Sequence, residues 1–407
     1  MKRVAVIGAG ASGLMAAYAA AKNQNTVTVF EKNEKAGKKI YITGKGRCNV
    51  TNDTSPEGFL ENVVRNAKFL KGCAYTFPPQ KTMQFLEDGG LALKVERGNR
   101  VFPASDKASD VTKCLERYCR NAGVLFLFRE GVSALDKKGD VFSIKTEKGE
   151  YEFDAVIVCT GGVSYPATGS TGDGFVFARR FGLSVKPLRP ALCGIVCEMS
   201  EISRLQGLTL KNVRITASRQ GKILGSFFGE MLFTHFGISG PIVLSLSSLL
   251  NGVEHWKEIS LEIDLKPALD EATLDKRLLR DFEKYKNKQM QNALDELLPK
   301  SLVLPVLRQA SVPPEQPVNA LSKAARAQLL RTLKGFRLQG KSLRPIEEGI
   351  VTAGGVDVAQ IHPKTMECKS VPGLYFCGEA LDVDAFTGGF NLQIAFMTGY
   401  AAGNSIR

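Results

Sequence analysis

The sequence predicts an α/β fold assembled from both ends of the chain and interrupted by a β-rich segment and then a helical one. Three observations predict it. The chain opens with a strand, a glycine-rich turn, a helix and a second strand. Strand-like alternation with Gly turns runs to about Asp264, and apolar residues recur at three- to four-residue spacing from Leu269. After Arg344, strands and glycine turns return.

Each element follows from its own pattern. Val4 to Ile7 reads as a short buried strand, Gly13 to Lys22 as an Ala-rich helix, and Thr26 to Phe30 as a strand of alternating Thr and Val. Ser133 to Glu147 reads as hairpin segments around Lys137 to Asp140, and Tyr151 to Cys159 as a strand ending in Thr160-Gly161-Gly162. Pro187 and Pro190 break this pattern, and a small β domain follows. In the helical segment, Leu274, Leu278, Leu279 and Phe282, then Leu294, Leu297 and Leu298, keep helical spacing. The last part holds a strand at Gly373 to Cys377 and a helix from about Asn391. The expected boundaries are 1–190 and 344–407 for the α/β domain, 191–268 for the β domain and 269–343 for the helical insertion.

At 407 residues the chain exceeds a single core, and 44% hydrophobic with 23% charged residues is an ordinary globular composition. No apolar run approaches the roughly 18 residues of a membrane span. No cleavage site follows the apolar run at Val4 to Gly8, so a cytoplasmic location is expected. Nine cysteines without C-x-x-C pairs, and three histidines, give no zinc-type spacing; reduced thiols and no metal are expected. The net charge of +13 is unevenly spread: Asp275 to Arg344 holds 15 Lys and Arg against 6 Asp and Glu.

Gly8-x-Gly10-x-x-Gly13 lies between predicted strand and helix, the context that gives the pattern meaning. Gly8 permits the turn, Gly10 lets a pyrophosphate approach the backbone, and Gly13 lets helix and strand pack closely. The helix N-terminus offers N–H groups to phosphate, and Ser12 adds a hydroxyl. Glu31 ends the second strand 18 residues beyond Gly13, where a carboxylate accepts ribose hydroxyls. A dinucleotide follows. FAD is favoured over NAD because a Gly- and Lys-rich loop spans Glu31 to Asn52, a second Gly-rich strand end stands at Thr160-Gly161, and Gly389, Phe390, Asn391 and Leu392 open a distant helix. That helix N-terminus suits the flavin N1–C2 oxygen region. Cofactor contact is assigned also to Lys32, Lys39, Arg47, Asn49, Val132, Gly378 and Glu379. Glu379 suits the ribityl chain; for Asp382 and Asp384 a role at the site and capping of the following turn weigh equally. Cys48 reads as a buried thiol.

These residues resemble the BaiN/RdsA family of FAD-dependent oxidoreductases, flavoproteins of the aminoacetone oxidase type, with the BaiN-like members closer in appearance. The resemblance rests on GAGASG at 8–13, AGKKIYITGKGRCNVTN at 36–52, RVFPASDKASDV at 100–111, TGGVSYPATGSTGDG at 160–174, LFTHFGISGP at 232–241, TAGGVD at 352–357 and GLYFCGEALDVDAFTGGFNLQIAFMTG at 373–399. It implies a Rossmann-like FAD-binding domain built from both termini, with an inserted β-barrel-like domain that carries a helical sub-insertion. It also implies hydride transfer at flavin N5, in members that reduce carbon–carbon double bonds conjugated to a carbonyl, in bile-acid-type steroids or in a ribosomal RNA uracil, and in others described as amine oxidases.

Two residues are candidates for proton transfer. His235 stands at a strand end in the β domain and could protonate the position left negative after hydride transfer; its alternative is a core histidine in a tight turn. Tyr165 follows Thr160-Gly161-Gly162 on a loop at the carboxyl edge of the sheet, where ligands of doubly wound folds collect. The basic stretch, with Arg277, Arg280, Lys284, Lys288 and Arg326 among its cations, either tracks ribosomal RNA phosphates or is a solvated helix face. The leading expectation is reduction of a ring enone, such as a 3-oxo-Δ4 steroid or a bile acid. The alternatives are dihydrouridine formation in ribosomal RNA, oxidation of a small amine and a non-catalytic flavin-binding module. With a single GxGxxG unit, NAD(P)H would be a transient donor.

Overall fold

The computed structural model describes residues 1–198 and 202–407. The chain divides into two compact units, one of residues 1–191 with 345–407, the other of residues 192–344.

The first unit is built on a parallel sheet of five strands: β1 (Arg3–Ile7), β2 (Thr26–Glu31), β3 (Leu125–Phe128), β4 (Ala155–Val158) and β5 (Leu374–Phe376), in the order β5-β4-β1-β2-β3. Val4 pairs with Val27 on one side and Ala155 on the other. Val4 to Ile7 are buried, as the Val/Ile run requires of a strand covered on both faces. Chain residues 374–376 pair beside β4, so the end of the chain completes the sheet that its beginning started.

Two helices fix this closure, α1 (Ala11–Lys22) and α2 (Phe390–Ser405). A Cβ at Gly399 would stand 2.2 Å from the Ser12 carbonyl oxygen, and one at Gly403 would stand 2.2 Å from that of Ala16. The helices therefore touch at backbone distance, across a face whose α1 side is Ser12, Ala16, Ala19 and Ala20. Because 12 meets 399 and 16 meets 403, they run parallel.

Around this core lie a three-stranded antiparallel sheet of Val132–Lys138, Val141–Thr146 and Glu150–Phe153, and a second of Thr51–Asn52, Arg100–Pro103 and Leu93–Glu96. Pro187 and Pro190 do not end the β structure. They sit in the strand Val185–Ala191, which pairs only with Val351–Val356 and has a register shift between Lys186 and Arg189, so the missing N–H groups are accommodated.

The second unit is a closed barrel of six strands: Ile195–Cys197, Gly237–Ser239, Lys222–Thr234, Thr209–Arg219, Ile259–Asp264 and Phe336–Leu343, in that order around the ring. Helices Glu271–Lys284, Met290–Ala293, Lys300–Gln309 and Lys323–Lys334 are inserted between the last two. Asp270 and Ser322 cap the first and last, accepting from Thr273 N at 2.7 Å and Ala325 N at 3.1 Å. Leu274, Leu278, Leu302, Leu329 and Leu333 join the core cluster that holds the barrel residues Ile215, Phe233 and Leu261.

The stretch 269–343 thus differs from its expected all-helical character at its end. Phe336, Leu338 and Gly340 are buried while Arg337, Gln339 and Lys341 are not, a period of two that makes a barrel strand. Among the described residues, no helix is long and apolar enough to cross a membrane.

Replacing Gly403 by Val forces a branched side chain into the α1 backbone. It should cost about 3 kcal/mol and lower the thermal midpoint; an unchanged midpoint would mean that the α1–α2 contact does not hold this unit together.

Candidate functional site

The turn from β1 into α1 explains each of its glycines differently. A Cβ at Gly13 would lie 1.9 Å from the Gly8 carbonyl oxygen, so helix and turn meet with no room for a side chain. At Gly10 a Cβ would meet nothing within 4 Å. Gly10 therefore borders open space at the N-terminus of α1, where it serves as N-cap with no side-chain hydrogen bond. That is the cradle a pyrophosphate needs.

Glu31 is buried at the end of β2. Its Oε2 accepts from Ala9 N at 2.8 Å, and its Oε1 from Asn33 N at 2.8 Å and Asn33 Nδ2 at 2.7 Å. The carboxylate is thereby fixed against the glycine turn, and Oε2, with a single protein donor, retains capacity for a ribose hydroxyl. Glu130 N donates to Glu31 O at 2.9 Å, which brings Gly131 against Lys32 and sets Val132 next along the same edge. Lys32 Nζ reaches Asp173 Oδ2 at 2.6 Å.

A second group gathers around Glu379. Lys39 Nζ donates to its Oε2 at 2.9 Å and to Ser164 Oγ at 2.7 Å; Ser164 Oγ donates to Glu379 Oε1 at 2.9 Å, as does Thr352 N at 2.8 Å. Burial pushes the Glu379 carboxyl up, but the Lys39 ammonium, the Thr352 N–H and the Ser164 hydroxyl outweigh it and hold it below the usual carboxylate range. Ser164 and Thr352 were not singled out from the sequence, although each belongs to a glycine-rich motif quoted above. Asp384 differs: burial raises its carboxyl despite Arg65 Nη1 at 2.7 Å from Oδ1.

The loop residues divide. Asn49 Oδ1 is buried with no hydrogen-bond partner among the described residues, an acceptor that a bound group would satisfy. Arg47 instead turns to protein carboxylates, with Nε 2.8 Å from Asp106 Oδ1, Nη2 on Glu96, and its guanidinium 4.1 Å from the centre of the Phe102 ring. The Cys48 thiol is fully buried and pushed up to about 12, which leaves it protonated and unreactive.

At the other end, Thr160 Oγ1 accepts from Gly174 N at 3.1 Å beside Gly161, and Gly378 N donates to Thr398 Oγ1 at 2.9 Å. Asn391 clamps the preceding loop, its Oδ1 accepting from Ala385 N at 3.0 Å and its Nδ2 donating to Ala385 O at 2.8 Å. Gly389 precedes Phe390, Asn391 and Leu392 as N-cap with no side-chain hydrogen bond. Gly399 lies against Ser12, the second residue of α1, so α2 projects past the start of α1 by eight residues, about 12 Å at 1.5 Å per residue. Two positive helix ends thus face the same way at different depths, an arrangement for one ligand with two electron-rich parts. The open cradle at Gly10, the Glu31 carboxylate and the buried Asn49 acceptor fit FAD.

Tyr165 is partly exposed and holds a left-handed φ of +51°, uncommon for a tyrosine; its N–H donates to Glu347 O at 3.1 Å. His235 lies in the second unit, exposed in the two-residue turn between Lys222–Thr234 and Gly237–Ser239, with its ring 5.1 Å from that of Phe236. The turn was anticipated, but a core position for this histidine was not found. Some cations of the helical segment are engaged locally: Arg277 and Arg280 on Asp281, Lys284 on Glu296, Lys286 on Glu283, and Arg326 on Asp275.

A family model described as HI0933-like protein Rossmann domain matches residues 2–405. The 3-dehydro-bile acid delta(4,6)-reductase of Clostridium scindens is 31% identical over 100% of this chain and 99% of its own. The ribosomal RNA dihydrouridine synthase of Haemophilus influenzae is 32% identical over 98% of this chain and 97% of its own. Among solved structures, a 3-ketosteroid-delta4-(5alpha)-dehydrogenase from Rhodococcus jostii RHA1 shares the fold, with TM-score 0.53 and 15% identity over 100% of this chain and 96% of that one.

The two glycines give separable outcomes. Gly10→Ala should leave the thermal midpoint of ligand-free protein unchanged while lowering FAD retention at least about tenfold, and Gly13→Ala should lower the midpoint itself. Equal FAD retention in Gly10→Ala and the parent, measured by absorbance after gel filtration, would remove the cradle from the site.

Proposed function

Because the chain belongs to the HI0933-like Rossmann family, the BaiN/RdsA-type flavoproteins, we propose that it reduces a carbon–carbon double bond conjugated to a carbonyl. It is an FAD-dependent oxidoreductase, and the proposed substrate is a ring enone such as a 3-oxo-Δ4 steroid or a bile-acid-like molecule. The observation that carries the flavin chemistry is the convergence of the open Gly10 cradle, the Glu31 carboxylate and the N-terminus of α2 in one unit. The full-length likeness to the Clostridium scindens reductase supports the enone.

When bound, FAD supplies a two-electron centre that passes hydride to the activated carbon. The chain's residues do the rest. Glu31 and the first turn of α1 would hold the adenosine diphosphate half. Lys39 fixes Glu379, which would accept from the ribityl hydroxyls. The N–H groups of Phe390, Asn391 and Leu392 set a positive field where negative charge accumulates. Tyr165 and His235 are the proposed acids that return a proton to the substrate, and NAD(P)H is the proposed transient donor.

Dihydrouridine formation is the second reading, supported by the likeness to the Haemophilus influenzae synthase. Arg277, Arg280, Lys284, Lys286 and Arg326 are paired with Asp281, Glu296, Glu283 and Asp275, so phosphates would have to compete for these five cations.

The test is reoxidation of anaerobically reduced enzyme by a 3-oxo-Δ4 steroid, a ribosomal RNA fragment and aminoacetone, each followed by mass analysis of the product. Rapid bleaching reversal with a steroid product two hydrogens heavier is expected, and reoxidation by RNA alone would overturn the reading. In the same assay His235→Ala should keep FAD and slow turnover by about 10²; an unchanged rate would take His235 out of the reaction.

A further inference from the structure

We propose that the first unit carries a second ligand site, for an amphipathic organic anion with a flat apolar body, along the second half of α2 on a face other than the one that Gly399 and Gly403 turn to α1. The site is a cavity of about 530 Å³, within the roughly 300–1,000 Å³ of small-molecule sites. Its lining on α2 runs from Met397 to Ser405, 8 to 16 residues from Gly389, about 12 to 24 Å at the helical rise. Gly399 and Gly403 turn to α1, whereas Met397, Tyr400, Ala401, Asn404 and Ser405 line the cavity from another face of α2, so a ligand there does not overlap the cradle at Gly10.

The cavity has an apolar wall and a cationic rim. Met397, Tyr400 and Ala401 face it from the last turns of α2, and Phe77 from the end of the helix Ala67–Thr76. The Phe77 and Tyr400 rings stand 4.6 Å apart at 32°, and the buried Phe77 backs the half-buried Tyr400, whose ring is thereby held as a surface on which a ring system can lie. Lys364 and Arg407 also line the cavity. Lys81 Nζ sits at the rim, 5.1 Å from the centre of the Tyr400 ring, and donates to Thr76 O at 3.3 Å. Among the described lining residues there is no Asp or Glu.

The end of a helix usually draws nearby cations onto its last carbonyls. Here those carbonyls are met by amides: Asn23 Nδ2 donates to Asn404 O at 2.9 Å and Ile406 O at 3.3 Å, and Asn25 Nδ2 donates to Ile406 O at 3.0 Å. Lys364 and Arg407 line the cavity, so their positive field acts on whatever occupies it, and Lys81 adds to that field from the end of the helix Ala67–Thr76, where Thr76 O holds it. A carboxylate or sulfonate on a flat ring system uses both features, whereas inorganic phosphate gains nothing from the aromatic wall. This site stands independently of the enone reading.

The test titrates full-length, FAD-loaded protein with 8-anilinonaphthalene-1-sulfonate, read by fluorescence and by calorimetry for stoichiometry. One saturable site per chain is expected. The exposed pair Lys364→Glu with Lys81→Glu should weaken it about tenfold or more, and Ala401→Phe, which fills the cavity, should abolish it, with FAD content unchanged in both. The uncharged analogue N-phenyl-1-naphthylamine should bind the parent and the charge variant alike. Equal sulfonate affinity in the parent and both variants, or no saturable binding to the parent, would overturn the proposal.

Discussion

The backbone contact between α1 and α2, permitted by Gly399 and Gly403, is the constraint on which the first unit depends. Residues nearly four hundred positions apart are joined there, and everything near the ligand cradle inherits its position from that join. With α2 parallel to α1, the N-terminus of one helix meets the glycine turn while the other projects further along the same direction. A side chain at either glycine would push the helices apart and separate the two positive ends that a dinucleotide must span.

Electrostatics reinforce the same closure. Lys39 and Glu379 come from opposite ends of the sequence, and their bond, shared with Ser164 and Thr352 N, ties the early loop to the strand end beyond β5. Three donors outweigh the burial of the Glu379 carboxyl and lower it, whereas Asp384 has one arginine against its burial and is raised. Two carboxyls thus shift in opposite directions according to how fully each is satisfied. The second unit follows a different plan, with barrel and inserted helices sharing one core.

What could be read from the sequence was what is local in the chain. The Gly8 to Gly13 turn, Glu31 at the strand end and the glycines before α2 each carry their physical reason within a few residues, and the barrel segment announces itself by alternation. Ser164 and Thr352 escaped notice because their importance lies in a partner more than 200 and about 30 residues away, respectively, with no periodicity to mark it. Arg47 looked like a cofactor contact because of its neighbours in the loop, yet Glu96 and Asp106, distant in sequence, claim its guanidinium. Phe336–Leu343 was taken with the helices before it, and only its pairing with Ile195–Cys197 and Ile259–Asp264 makes it the strand that closes the barrel.

The central claim is that both ends of this chain build one site for a flavin attached to an adenosine diphosphate. Mass spectrometry of the ligand released by heat from the purified, flavin-reconstituted protein tests it most directly. The account predicts FAD at about one per chain, because the Glu31 carboxylate and the Gly10 cradle act on the adenosine diphosphate half. Recovery of FMN alone, or of no flavin after reconstitution, would contradict it.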